Sequence, residues 1–261
     1  METLVSREKL AKAMSSNPRW ASRLGWSAHA GVVATLVESA ATDVASPELA
    51  EAVAEWQKAN ALGVDGIIGP ITWRALRAAL APERSLTGIM PADAPPVPLG
   101  WDQVIATFGD PTPLLSRDGT MSKENELLWQ RRTLASGTLP FPVPLDMHKP
   151  DKQMQTRFHA HHRLVGTFEA VFAELHRLGL QSEIMSWGGI YHFRPIRGTR
   201  RALSLHAFGA AIDLNAETNK PGTEGDMSPQ VIEVFRHFGF VWGGDFGSRP
   251  DPMHFQYAKG Y

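Results

Sequence analysis

The sequence predicts an α+β fold class in two parts. A small N-terminal three-helix module is joined by a Pro-rich linker to a mixed α+β domain with a small antiparallel sheet. Three observations predict it. Pro91, Pro95, Pro96 and Pro98 crowd one short stretch, where neither a helix nor a central strand survives the loss of backbone donors. The residues before that stretch carry helical spacing. The residues after it alternate helical patterns with short strand-like runs, and they lack the glycine fingerprint of a doubly wound sheet. The expected organisation is a helical module over residues 1–81 with its core in 27–81, a linker over 82–99, and a second domain over 100–261.

Taken in order, Pro47 stands at a helix start behind Ser46, a residue type suited to cap it. Leu49, Val53, Trp56 and Gln57 follow at helical spacing. Gly63 and Gly66 interrupt the pattern, and Gly69-Pro70 opens another helix carrying Ile71, Trp73 and Leu76. Residues 110–120 read as a loop. Phe158, Val165, Phe168, Phe172 and Leu175 predict an amphipathic helix that ends near Gly179. Strands are expected over Ser182–Trp187, Ala211–Asn215, Phe240–Trp242 and His254–Tyr257. A second helix through Val231, Val234, Phe235 and Phe238 stops at Gly239.

Composition narrows the function. The 261 residues are 43% hydrophobic and 20% charged, proportions that support a packed core. Twenty-six basic residues against twenty-seven acidic ones leave a formal charge of -1. Nucleic acid is therefore not an expected partner. No apolar run approaches the roughly 18 residues of a membrane span, so no membrane insertion is expected. Residues 1–26 mix charge with apolar positions and lack the apolar block of a secretory signal. With no cysteine, disulfides, thiolate metal sites and cysteine nucleophiles are excluded. Any metal must be held by histidine and carboxylate.

Three residues meet that requirement. In Ser204-Leu205-His206-Ala207-Phe208-Gly209-Ala210-Ala211-Ile212-Asp213-Leu214, strand alternation turns Ile212 and Leu214 inward and Asp213 to the other face. Gly209 permits the bend that brings His206 back toward Asp213. In Asp251-Pro252-Met253-His254-Phe255, alternation sets His254 opposite Phe255. Two imidazoles and one carboxylate leave a fourth position open for water, as a catalytic zinc requires. Asp251 is placed to act as general base toward that water.

The same residues carry a resemblance. Ser-x-His-x-x-Gly-x-Ala-x-Asp followed by Asp-x-x-His-Phe resembles the M15 zinc peptidases, which include D-alanyl-D-alanine carboxypeptidases, L-alanyl-D-glutamate endopeptidases and phage endolysins. Gly188-Gly189-Ile190-Tyr191-His192-Phe193-Arg194-Pro195 and Trp242-Gly243-Gly244-Asp245 extend it, and it reaches back to Gly100-Trp101-Asp102. The resemblance implies that His206, Asp213 and His254 hold one Zn2+ ion and that Asp251 is the catalytic acid/base. It implies that Arg194 stabilises an oxyanion or holds a substrate carboxylate, with Arg197 as the fallback. Ser204 matches the motif serine and is expected to orient a ligand.

A second resemblance lies upstream. Residues 54–73, with Trp56-Gln57, Leu62-Gly63, Asp65-Gly66-Ile67 and Gly69-Pro70-Ile71-Thr72, resemble the small three-helix peptidoglycan-binding domain, which usually has phenylalanine where Trp56 stands. Asp65-Gly66 supplies a tight turn and Gly69-Pro70 a helix start. Together the two resemblances imply a zinc-dependent peptidoglycan hydrolase cutting stem peptides, with the wall as its partner. L-alanyl-D-glutamate endopeptidase is the expected activity. The alternatives are D-alanyl-D-alanine carboxypeptidase and a silent wall-binding protein that has kept the fold. A monomer is expected, made in the cytoplasm without a signal peptide. It acts at the cell wall after lysis or export by another route.

Other histidines and one motif compete for these roles. His159, His161 and His162 are expected together on a helix, where 159 and 162 are close in space, as a half-exposed face in preference to a second metal site. His192 and His237 lie near the site in sequence. Ser6-Arg7-Glu8-Lys9 has the Ser-x-x-Lys spacing of serine-type penicillin-binding proteins but lacks its companion motifs.

Overall fold

The computed structural model describes residues 5–80, 85–117, 119–149, 153–196, 203–247 and 249–260. The chain forms two compact units, residues 1–83 with 224–229 and residues 84–223 with 230–261.

In the first unit, α1 (Arg7–Leu24), α2 (Ala30–Leu36), α3 (Pro47–Ala59) and α4 (Pro70–Leu80) surround Trp26, Leu49, Val53, Ile68 and Leu76. Ser46 caps α3, its hydroxyl accepting from the Leu49 amide at 3.1 Å. Gln57 is buried beneath the Asp65-Gly66 turn. Its carbonyl oxygen accepts from the amides of Asp65 at 3.0 Å and Gly66 at 2.9 Å, and its amide faces Thr72 Oγ1 at 3.0 Å. The motif thus reads as a turn locked from within, because each buried polar group finds a partner there. Asn17, on α1, closes the other side by accepting from the Ile68 amide and donating to the Gly66 carbonyl. Ser6 caps α1 by accepting from the Lys9 amide, which gives the Ser-x-x-Lys spacing a structural use.

The second unit opens on the proline-rich stretch, which carries no helix among its described residues and lies hydrogen-bonded along the unit. The Thr87 amide donates to Glu174, Tyr257 donates to the Pro95 carbonyl at 2.8 Å, and the Lys259 amide donates to the Pro98 carbonyl. Next come α5 (Gly100–Phe108) and α6 (Lys123–Thr133), then a hairpin of β1 (Leu134–Pro144) and β2 (Met154–His161). After α7 (Val165–Arg177) and β3 (Trp187–Gly189) come β4 (Ala211–Leu214), α8 (Pro229–His237), β5 (Val241–Trp242) and β6 (His254–Gln256). Four short strands form an antiparallel sheet in the order β3-β4-β6-β5. Its core is aromatic. Phe235 of α8 stacks on Phe255 of β6 at 4.1 Å, and Phe172 of α7 meets both Phe235 and Trp187.

Two sequence expectations are corrected. The helix expected from Phe158 begins only at Val165, and Phe158 lies in β2 with His159 and His161. The seven-residue interval from Phe158 to Val165 fits a helix, yet Phe158 and Ala160 are buried while His159 is exposed, the period of a strand. The three histidines therefore do not lie on a helix. The strand expected over Ser182–Trp187 is a 3-10 turn at Gln181–Glu183, with strand only from Trp187 to Gly189. The Asn215 side chain accepts from the Met185 and Ser186 amides at 2.7 and 3.1 Å, taking donors that a longer ladder would use.

Candidate metal centre

The sheet register sets the site. Asp213 of β4 lies directly opposite His254 of β6, and Ile212 lies opposite Phe255. One alternation therefore puts the aromatic and aliphatic pair into the core and the acid and imidazole together on the other face. His206 comes from the turn before β4. Ser204 caps that 3-10 turn (Leu205–Phe208), its hydroxyl accepting from the His206 amide at 3.4 Å, and Gly209 leaves it in the left-handed region at φ 65. The turn is held from behind. Phe208 is fully buried against the rings of Trp101, Phe108 and Trp129, and the Trp129 indole donates to the Ala207 carbonyl at 2.8 Å.

The result is a tight cluster. His206 Nε2 lies 3.1 Å from Asp213 Oδ1, His254 Nδ1 lies 2.9 Å from the same oxygen, and the two ring nitrogens are 3.2 Å apart. The outer nitrogens fix the tautomers. His206 Nδ1–H donates to the Ile190 carbonyl at 2.7 Å, and His254 Nε2–H donates to Gln256 Oε1 at 3.0 Å. Gln256 is itself oriented by donating to the Ala258 carbonyl. In neutral imidazoles so bound, His206 Nε2 and His254 Nδ1 each turn a lone pair inward, against a carboxylate oxygen. Three acceptors this close repel one another unless a cation sits among them.

That requirement fits a metal ion. Ligand atoms about 2.0–2.1 Å from a tetrahedral zinc stand roughly 3.3 Å apart, close to the separations found. The other ring nitrogen of each histidine is tied to a carbonyl oxygen, as metal-binding histidines usually are. Among the described residues, this is the group of three histidine or carboxylate side chains able to hold a metal. The three groups are also strongly coupled electrostatically. Burial alone would raise the Asp213 carboxyl, but the two histidines hold it far below the ordinary carboxylate value. Burial likewise disfavours a charged His254, yet its hydrogen bond and attraction to Asp213 raise it above the ordinary value.

His254 also lines an open cavity of about 490 Å³ with Arg194, Ser204, Arg249, Asp251 and Gln256. Asp251 is half-buried there and is positioned by its backbone. Its amide donates to the Gly243 carbonyl at 2.8 Å, and its carbonyl accepts from the His254 amide at 2.9 Å. Arg194 is half-buried. Its carbonyl accepts from the Ser204 amide, which ties the segment carrying Arg194 to the turn carrying His206. Arg197 lies outside the described residues.

The structure therefore brings His206, Asp213 and His254 into contact, with Asp251 and Arg194 on the cavity that His254 lines. Gln256, Arg249 and the Ile190 carbonyl join them without having been singled out from the sequence. Gln256 had a signal, since it lies two residues beyond His254 and so on the same face of β6. Arg249 had none, and Ile190 stood only as a member of the Gly188–Pro195 stretch, which says nothing of its carbonyl. The remaining histidines have other partners. His161 Nε2–H donates to the Phe108 carbonyl and its Nδ1 accepts from the Arg163 amide; burial and the neighbouring His162 push it down to about 4. His162 donates to the Thr133 carbonyl, His159 meets Ser136, and His237 donates to the Gly88 carbonyl. His192 has an exposed side chain, and its amide donates to the His206 carbonyl.

Comparison with known proteins gives two family matches. Residues 197–257 match the M15 peptidase model described as D-alanyl-D-alanine carboxypeptidase, a span containing His206, Asp213, Asp251 and His254 but ending short of Arg194. Residues 23–76 match the peptidoglycan binding domain. No curated protein and no solved structure gives a match. Among the described residues, no helix is long and apolar enough to cross a membrane.

Proposed function

From a chain that carries an M15 peptidase segment and a peptidoglycan binding domain, we propose a zinc-dependent peptidoglycan hydrolase that cuts stem peptides at the cell wall. The observation that carries the zinc reading is the convergence of two imidazole lone pairs and one carboxylate oxygen within 2.9–3.2 Å. His206, Asp213 and His254 would hold the ion, with Ile190 and Gln256 fixing the two tautomers. When bound, zinc supplies Lewis acidity and lowers the pKa of coordinated water.

The remaining steps belong to the chain's own groups. Asp251 accepts the proton of the attacking water and returns it to the departing amine nitrogen. Arg194 faces the negative charge that grows on the carbonyl oxygen, or binds a substrate carboxylate. The binding domain keeps the substrate near, raising its effective concentration without adding an active-site contact. A pure binder has no use for Asp251 on this cavity.

The bond we assign is the one between L-alanine and D-glutamate. The wall-binding domain supports it, because an enzyme working within the polymer gains most from being tethered to it. The description of the matched peptidase family favours a second reading, removal of a terminal D-alanine. Zinc dependence is tested by stripping the protein with a chelator and following the clearing of purified cell walls. Clearing is expected to stop and to return with one equivalent of zinc. Unchanged clearing by metal-free protein would remove zinc from the mechanism.

A further inference from the structure

We propose that a second cavity, beside β3, is a subsite for a carboxylate-bearing residue of the substrate's stem peptide, with Arg131 and Trp187 as the groups that hold it. The proposal rests on the hydrolase reading above. The cavity measures about 450 Å³ and lies wholly in the second unit, between the end of α6, the β1–β2 hairpin and β3. Its volume falls within the range of small-ligand sites.

The polar inventory of its lining is lopsided. Arg131 is exposed and makes neither an ion pair nor a hydrogen bond among the described residues. The Trp187 indole N–H likewise has no acceptor among them. The nearby acid is already engaged, for Glu126 accepts from the Tyr191 hydroxyl at 3.3 Å and from the Gln130 amide at 3.4 Å. Burial and the Glu126 charge push the Tyr191 hydroxyl well above the ordinary tyrosine value, so it stays a donor at ordinary pH. Gln155 donates to the Arg157 carbonyl. Arg131 and the Trp187 indole thus remain as donors without a protein acceptor among the described residues. The walls are flat and apolar, with Phe158 and Trp187 ring centroids 6.3 Å apart. A ligand that complements this surface brings a carboxylate for Arg131, a carbonyl for the indole and a short aliphatic body for the rings.

The cavity is also joined to the metal centre. Ile190 lines it, and the Ile190 carbonyl accepts from His206 Nδ1–H at 2.7 Å. Gly189, also on its wall, pairs with Asp213 across the β3–β4 ladder. β3 is the edge of its sheet. Adjacent strands lie about 4.8 Å apart, so a peptide lying outside β3 is roughly 10 Å from Asp213, about three extended residues. A stem peptide cut at the metal therefore has the length to put a carboxylate about three residues from the cut, such as the C-terminal one of D-alanine, in this cavity.

The test compares wild type with Arg131→Gln on two peptides, an acidic one, L-alanyl-γ-D-glutamyl-L-lysyl-D-alanine, and an amidated one, its analogue with the C-terminal D-alanyl carboxylate amidated. For the acidic peptide, R131Q is expected to raise KM about 10-fold or more, with kcat within about twofold and zinc content unchanged. For the amidated peptide, wild type is expected to start at the higher KM and R131Q to add nothing, the non-additivity of a direct contact. An unchanged KM, or an equal rise on both peptides, overturns the proposal. If wild type cleaves neither peptide, calorimetry with the acidic peptide still reads the site: binding lost in R131Q upholds the subsite while the hydrolase reading falls, and equal or absent binding overturns the subsite. Competition by a peptide-free N-acetylglucosamine oligomer that R131Q abolishes would make the cavity a sugar site and also overturn it.

Discussion

Asp251→Asn is expected to keep zinc and lose turnover. The substitution preserves size and the backbone bonds that place residue 251, from its amide to Gly243 and from its carbonyl to the His254 amide. It removes the group proposed to carry the proton, an effect of about 10²–10⁴-fold in kcat. Metal content by elemental analysis should match wild type, and wall binding should be unaffected. An asparagine variant of full activity would transfer the general-base role to another residue and reopen the binding-protein alternative. A variant that loses zinc as well would make Asp251 part of the metal's support rather than of the chemistry.

Gly243→Ala is expected to disable the same site without touching a metal ligand. A methyl group at position 243 would overlap the Asp251 carbonyl oxygen and stand 3.1 Å from His254 Cβ. Both neighbours belong to the loop and strand that carry the proposed base and one proposed ligand, so relief of the overlap must move one or both. A displacement of about 1 Å costs on the order of 10²-fold when reacting groups must be held in register. Activity should fall at least that far, with weaker zinc retention in competition with a chelator. Gly63→Ala is the control, because nothing lies within 4 Å of the methyl it would add and it lies in the other unit. Equal activity in the two variants would mean that the approach of Gly243 to this loop has no part in positioning the site.

The proposed metal ligands were legible because two local rules agree on them. Period-two alternation places Asp213 and His254 on the same face of adjacent strands, and a glycine turn folds His206 back toward them. The peptidoglycan-binding motif was legible for a related reason. Gln57, Asp65, Gly66 and Thr72 serve one buried turn, so their spacing is dictated by hydrogen bonds within some fifteen residues of sequence.

The β1–β2 hairpin was not legible. Pro140, Pro142 and Pro144 lack the backbone donors of a ladder, yet Leu139, Phe141 and Val143, alternating with them, are buried. Pro140 and Pro142 fall where the ladder shifts register between Thr138 and Val143, so neither occupies a paired position. Phe158 was misassigned because its seven-residue spacing to Val165 fits the helical period, and the strand shows only in the cross-strand partner Gly137 and the alternating burial of Phe158, His159 and Ala160. Arg249 and the Ile190 carbonyl escaped notice for a different reason. Their places depend on how loops distant in sequence meet, which no local spacing records.

The most direct test is to identify the ends that the protein creates. Purified peptidoglycan is incubated with wild-type protein, with and without a zinc chelator, and the soluble products are sequenced by mass spectrometry. The account predicts new D-glutamate amino termini that appear only when zinc is available. Loss of a terminal D-alanine alone would contradict the assigned bond, and products unchanged by the chelator would contradict the zinc-dependent cleavage on which the whole account rests.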